Sequence, residues 1–116
     1  VFGKRADSGY EEILPGIRVK TLCAGERTLL SEFRMQKGSR LPEHSHPHEQ
    51  TGYLVKGRVR LASGGLVKEA SPGDSWSISG GQSHSAEILE DSIAIEVFSP
   101  MREEYLKYLR EEDVAR

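Results

Sequence analysis

The stretch Gly38-Ser-Arg-Leu-Pro-Glu-His44-Ser-His46-Pro-His48-Glu-Gln50-Thr-Gly52-Tyr-Leu-Val-Lys-Gly57 gathers three of the chain's four histidines into five positions. On an extended strand alternate side chains point to one face, so His44 and His46 aim two imidazoles at a single point. Gln50 returns to that face after the break at Pro47, and His84 arrives from a neighbouring strand after a second glycine-punctuated stretch. Three neutral imidazoles and a carboxamide oxygen suit one divalent transition-metal ion, and zinc, nickel, manganese, iron and cobalt all accept that donor set. Four protein ligands leave positions open for water or substrate, as a catalytic site requires.

These residues resemble the two signature motifs of the cupins. The first, G-x5-H-x-H-x3-E-x6-G, is met by Gly38, His44, His46 and Gly57, with Gln50 where the family usually has Glu. The second, G-x5-P-x-G-x2-H-x3-N, is met by Gly73, Gly81 and His84, with Ser79 in place of the proline and Ile88 in place of the asparagine. The resemblance implies an all-β, single-domain fold, an antiparallel jelly-roll β-barrel with the metal inside its mouth. It assigns the third ligand of the first motif to Gln50. His48, next to the proline break, is then a rim residue, with metal binding as its alternative, and Glu49 points to the opposite face.

Working outward, 116 residues with a formal net charge of −2 make one domain with a single core. Acids and bases are interleaved without a basic tract, so no nucleic-acid partner is expected. No apolar run approaches the roughly 20 residues of a membrane span, and no signal-peptide core opens the chain, so the expected location is the cytoplasm with no membrane partner. The single cysteine, Cys23, has no disulfide partner within the chain and reads as a small buried hydrophobe.

Residues 1–9 are small and polar and read as a loosely held arm, and 10–99 as the β-barrel. Strands are expected around the Pro15-Gly16 turn and over 28–36, where Leu29, Ser31, Phe33 and Met35 share one face. A hairpin is expected across Lys56-Gly57, followed by turns at 63–65, 71–74, 80–83 and Glu90-Asp91. Arg58 and Arg60 share one face, read as solvated with contact to an anionic substrate as its alternative; Tyr53 either reaches the pocket or packs at the barrel edge; and Trp76 and Ile78 are core candidates, with a substrate platform as the alternative for Trp76. From Pro100 the period changes: Met101, Tyr105, Leu106 and Leu109 recur at helical spacing, so 100–116 is expected to form a short C-terminal helix and tail.

A narrower resemblance rests on His44 to Gln50 followed by Gly52-Tyr53, and on Val97-Phe98-Ser99-Pro100-Met101-Arg102 with Tyr105-Leu106. Together these are similar to the KdgF-type uronate-linearising cupins of pectin degradation. That resemblance implies a metal held by His44, His46, Gln50 and His84, with Glu96, Phe98 and Arg102 as functional residues around it. The group has Asp where this chain has Glu96, and the extra methylene displaces the carboxyl by more than an ångström. The implied substrate is a small anionic sugar, a cyclic unsaturated uronate from pectin or alginate. In that role Glu96 moves a proton and Arg102 clamps a carboxylate, whereas the plainer reading pairs Glu96 with Arg102 and puts Phe98 in the core. A homodimer is expected by analogy with cupins, with Leu29, Phe33 or the N-terminal strands at the contact. The competing functions are a metal-dependent dioxygenase and a binding module for a small acid or sugar without turnover.

Overall fold

The structure is a computed structural model that describes residues 1–102 and residue 105. It contains eight strands, all paired antiparallel: β1 (Glu11–Leu14), β2 (Ile17–Ala24), β3 (Leu29–Met35), β4 (Arg40–His44), β5 (Glu49–Ser63), β6 (Leu66–Ala70), β7 (Ser75–Ile78) and β8 (His84–Ser99). The sheet runs β1-β2-β3-β8-β5-β6, with β4 added to β8 and β7 added to β5. Strands β5 and β8 serve two layers. The first half of β5 lies between β7 and the second half of β8, and its second half lies between β6 and the first half of β8. Strand β3 pairs with the second half of β8 and β4 with the first, so the sheet folds over on itself as a jelly roll.

The bend in this long pair replaces two expected turns. No hairpin forms at Lys56-Gly57, and Glu90-Asp91 is not a turn: both lie inside continuous strands. Burial along β8 keeps one parity from His84 to Phe98, whereas β5 buries Gln50, Gly52 and Leu54 and then switches to Val59. A switch of parity marks an inserted residue, and the register shifts between Leu54 and Val59 place the bulge there. Gly57 has φ +95°, and a Cβ on it would lie 2.1 Å from Ser92 Oγ and 2.5 Å from the Asp91 carbonyl oxygen. Only glycine lets the two bent strands approach so closely.

The core is filled by the inward residues of both layers, among them Ile17, Val19, Leu29, Leu54, Ile88 and Phe98. Leu29 is fully buried and Phe33 is 6% exposed, so both pack inside this chain and neither is available to a second subunit. Cys23 is only half-buried because β2 shifts register beside it. The arm lies against β2, where the Lys20 ammonium donates to the Ala6 carbonyl at 3.1 Å. Tyr53 is half exposed at the barrel surface, and Arg58 and Arg60 form an outer lattice of ion pairs with Glu69, Glu87 and Glu90.

The described residues hold no α-helix; the expected helix over 100–116 lies outside them apart from positions 100–102 and 105. Of those four, Tyr105 is buried with its ring against those of Phe33 and Phe98. The Tyr105 amide donates to the Arg102 carbonyl at 2.9 Å, and Thr21 Oγ1 donates to the Tyr105 carbonyl at 2.6 Å. No helix among the described residues is long and apolar enough to cross a membrane.

Candidate metal centre

His44 ends β4 and His84 begins β8, and the two stand opposite each other in the β4–β8 register with ring centroids 4.3 Å apart. His46 follows on the loop, its carbonyl held by the Gly81 amide at 2.8 Å, with its ring 5.0 Å from that of His84. One nitrogen from each of the three rings lies within 4.8 Å of the others. His46 and His84 are buried and His44 is half-buried.

Each ring is oriented in the same way. Nδ1 of His44 faces the Pro42 carbonyl at 2.9 Å, Nδ1 of His46 the His48 carbonyl at 3.0 Å, and Nδ1 of His84 the Gln82 carbonyl at 2.9 Å. A carbonyl oxygen only accepts, so all three Nδ1 atoms carry the proton, which leaves the Nε2 lone pairs for a ligand. Burial holds the His46 pKa below its ordinary value, with the Arg102 charge adding to the effect. Burial likewise lowers that of His84, against the pull of its bond to Gln82. Neutral imidazoles are the form that binds a metal.

Gln50, at the start of β5, sets its side-chain amide beside the three rings. Its Nε2 donates to Glu96 Oε2 at 2.8 Å, which turns its Oε1 toward His46 Nε2 at 2.9 Å. With His46 neutral and protonated on Nδ1, that contact brings two lone pairs together with no proton between them. A shared cation resolves it: two ligands about 2.1 Å from one ion and at right angles lie about 3.0 Å apart. The residues present therefore fit a divalent metal ion. His48 stays outside the cluster, and its Nδ1 is buried without a hydrogen-bond partner.

Glu96 and Phe98 reach the same cavity from β8. Its volume is about 50 Å³, and His44, Gln50, His84, Glu96, Phe98 and Arg102 are among its walls. His44, Arg102 and Tyr105 also wall an outer pocket of about 320 Å³. Burial pushes the Glu96 carboxyl up to about 7, while hydrogen bonds from Gln50 and Trp76 and the Arg102 charge pull it down. The Arg102 guanidinium lies over the rings of Phe98 at 5.2 Å and Tyr105 at 4.4 Å. Phe98 is 1% exposed and sets its ring 5.8 Å from His46, so it is at once core and site wall.

Trp76, read from the sequence as core, is half-buried and donates its indole N–H to Glu96 Oε1 at 3.0 Å. Strand parity placed it inward but carried no sign of that bond. The signal lay in Gly52, a buried glycine in mid-strand.

Comparison with known proteins agrees with this geometry. No curated protein matches the chain. Among solved structures, KdgF from Halomonas sp. superposes with a TM-score of 0.84 at 28% identity, over 90% of this chain and 98% of that one. An RmlC-like cupin from Shewanella frigidimarina NCIMB 400 superposes with a TM-score of 0.85 at 27% identity, over 90% and 94%. A predicted oxalate decarboxylase from Thermotoga maritima shares the fold with a TM-score of 0.65 at 20% identity, over 72% and 80%. The cupin-domain model matches residues 31–99, which span the three-histidine cluster and the strands that carry it; the chain belongs to the cupin family.

Proposed function

We propose that His44, His46, Gln50 and His84 hold one divalent transition-metal ion, and that the protein is an enzyme that converts cyclic unsaturated uronates into their linear keto forms. The observation that carries this reading is the meeting of Glu96, Phe98 and Arg102 with His44, Gln50 and His84 in one cavity, on a chain 28% identical to a KdgF. When bound, the ion supplies Lewis-acid polarisation of a substrate oxygen.

The remaining work falls to the chain's own groups. The cavity of about 50 Å³ takes only water-sized groups, since a water's share of liquid is about 30 Å³. The sugar ring therefore sits across His44, Arg102 and Tyr105 in the outer pocket and presents one edge inward. Arg102, braced on two aromatic faces, receives the substrate carboxylate through its planar fork. Phe98 excludes water beneath the reacting edge. Glu96 moves protons: the hemiacetal hydroxyl loses one as the bond from the anomeric carbon to the ring oxygen breaks, and the ring oxygen leaves as an enol. Loss of the enol proton and protonation of the adjacent alkene carbon then give the ketone, so the reaction is a net isomerisation without a redox partner. A carboxyl with a pKa of about 7 can both take and give the proton near neutral pH.

The test is an NMR time course of freshly released unsaturated galacturonate with native protein, metal-stripped protein and no protein, run with oxygen present and excluded. Faster appearance of the linear keto form with native protein alone, independent of oxygen, is expected. Oxygen consumption would support a dioxygenase instead, and binding without product a sensor or carrier.

A further inference from the structure

Trp76, Gly52 and Glu96 stand in one row across three strands: Gly52 pairs with Trp76 of β7 on one side and with Glu96 of β8 on the other. A Cβ at position 52 would lie 2.2 Å from both Cε2 and Nε1 of the indole, so the ring occupies the space a side chain would fill. That absence lets Trp76 cross over β5 and place its N–H 3.0 Å from Glu96 Oε1. Glu96 Oε2 in turn accepts from Gln50 Nε2 at 2.8 Å, and Gln50 Oε1 faces His46 Nε2 at 2.9 Å.

The chain of contacts has a direction. An indole nitrogen only donates, a carboxylate only accepts, and a carboxamide does one at each end. Glu96, held in place by the indole N–H, accepts from the Gln50 NH₂ group, and the last link turns an oxygen, not an NH₂ group, toward the histidines. We propose that Trp76 is a positioning residue of the metal centre, enabled by the bare backbone of Gly52: it holds Glu96, and Glu96 sets the polarity of the Gln50 amide. The same logic accounts for Gln50 where most cupins carry Glu, because a second carboxylate would face Glu96 across 2.8 Å, acceptor against acceptor. The proposal rests on the metal reading and is independent of the substrate.

The test is cobalt(II) affinity by calorimetry, with the visible spectrum of the bound ion, for the wild type, Glu96→Gln, and Glu96→Gln combined with Trp76→Phe. In Glu96→Gln the new amide faces the indole donor. It turns its oxygen there and its NH₂ toward Gln50, which must flip and present NH₂ to the histidines. Affinity should fall by about 10–100-fold, the range for lost partners of metal ligands. Adding Trp76→Phe removes the opposing donor, so Gln50 regains its orientation and the double variant should bind about tenfold or more tighter than Glu96→Gln, with a wild-type-like spectrum. A packing role for Trp76, or misfolding of Glu96→Gln, makes the double variant no better than the single, and either result overturns the proposal. So does wild-type affinity in Glu96→Gln. A wild type that takes up no cobalt defeats the metal reading itself and this proposal with it.

Discussion

Replacing Gly57 by alanine probes the bend that brings the two ends of β5 and β8 around the site. Three costs add at this position. The backbone sits at φ +95°, where an L side chain pays about 1–2 kcal/mol. The new Cβ would also meet Ser92 Oγ at 2.1 Å and Ser92 Cα at 2.7 Å, all on strand backbone or a buried side chain with nowhere to go. Overpacking of this kind costs about 1–3 kcal/mol. Displacing Ser92 Oγ also strains its bonds to the Arg58 amide at 3.1 Å and the Glu90 carbonyl at 2.7 Å, about 1 kcal/mol more. Gly73 supplies a matched control, since its φ is +96° with nothing within 4 Å of its added Cβ. The difference between the two alanine variants therefore isolates about 2–4 kcal/mol of packing. With an unfolding entropy of about 0.24 kcal/mol/K for a chain of this length, Gly57→Ala should melt about 8–16 °C below Gly73→Ala in circular dichroism. Midpoints within about 3 °C of each other would refute the bulge as the reason for this glycine.

Other perturbations read separate parts of the account. Gln50→Glu should keep metal bound but lower turnover, because the added carboxylate offsets part of the ion's charge and faces Glu96 at 2.8 Å; unchanged or higher turnover in the NMR assay would contradict the role of a neutral ligand. His84→Ala should lose metal and turnover together, whereas Arg102→Ala should retain metal and lose turnover, and full activity in Arg102→Ala would remove the carboxylate clamp. Tyr10→Phe deletes the hydroxyl that Glu32 accepts from, at about 1 kcal/mol near neutral pH. Burial and that bond push the Tyr10 pKa from 10.0 up to about 12, so the hydroxyl's contribution is full below pH 10 and is lost as pH rises through about 12. Urea midpoints of wild type and Tyr10→Phe should converge over that window, and a gap that widens there would reverse the sign.

Much of this arrangement was legible in the sequence because it is local. Histidine spacing set the cluster, parity over 29–35 gave the buried face of β3, and glycine-rich turns at 63–65 and 71–74 fell where expected. The bend was illegible because Lys56-Gly57 and Glu90-Asp91 carry the same chemistry in a bulge as in a turn. What decides between them is pairing between β5 and β8, more than thirty positions apart in the chain at Leu54 and Ala94. Leu29 and Phe33 were open to a subunit contact until the second layer of the roll covered them. Trp76 belongs to the same class: its parity was correct, but its bond to Glu96 depends on an empty position in the strand between them.

X-ray absorption spectroscopy at the metal edge of the cobalt-loaded protein tests the central claim most directly, because it counts ligands by type. Three imidazoles with oxygen donors completing the shell is the predicted result, from His44, His46, His84 and the Gln50 carbonyl. A shell with fewer than three imidazoles, or with four and hence with His48 drawn in, would contradict it.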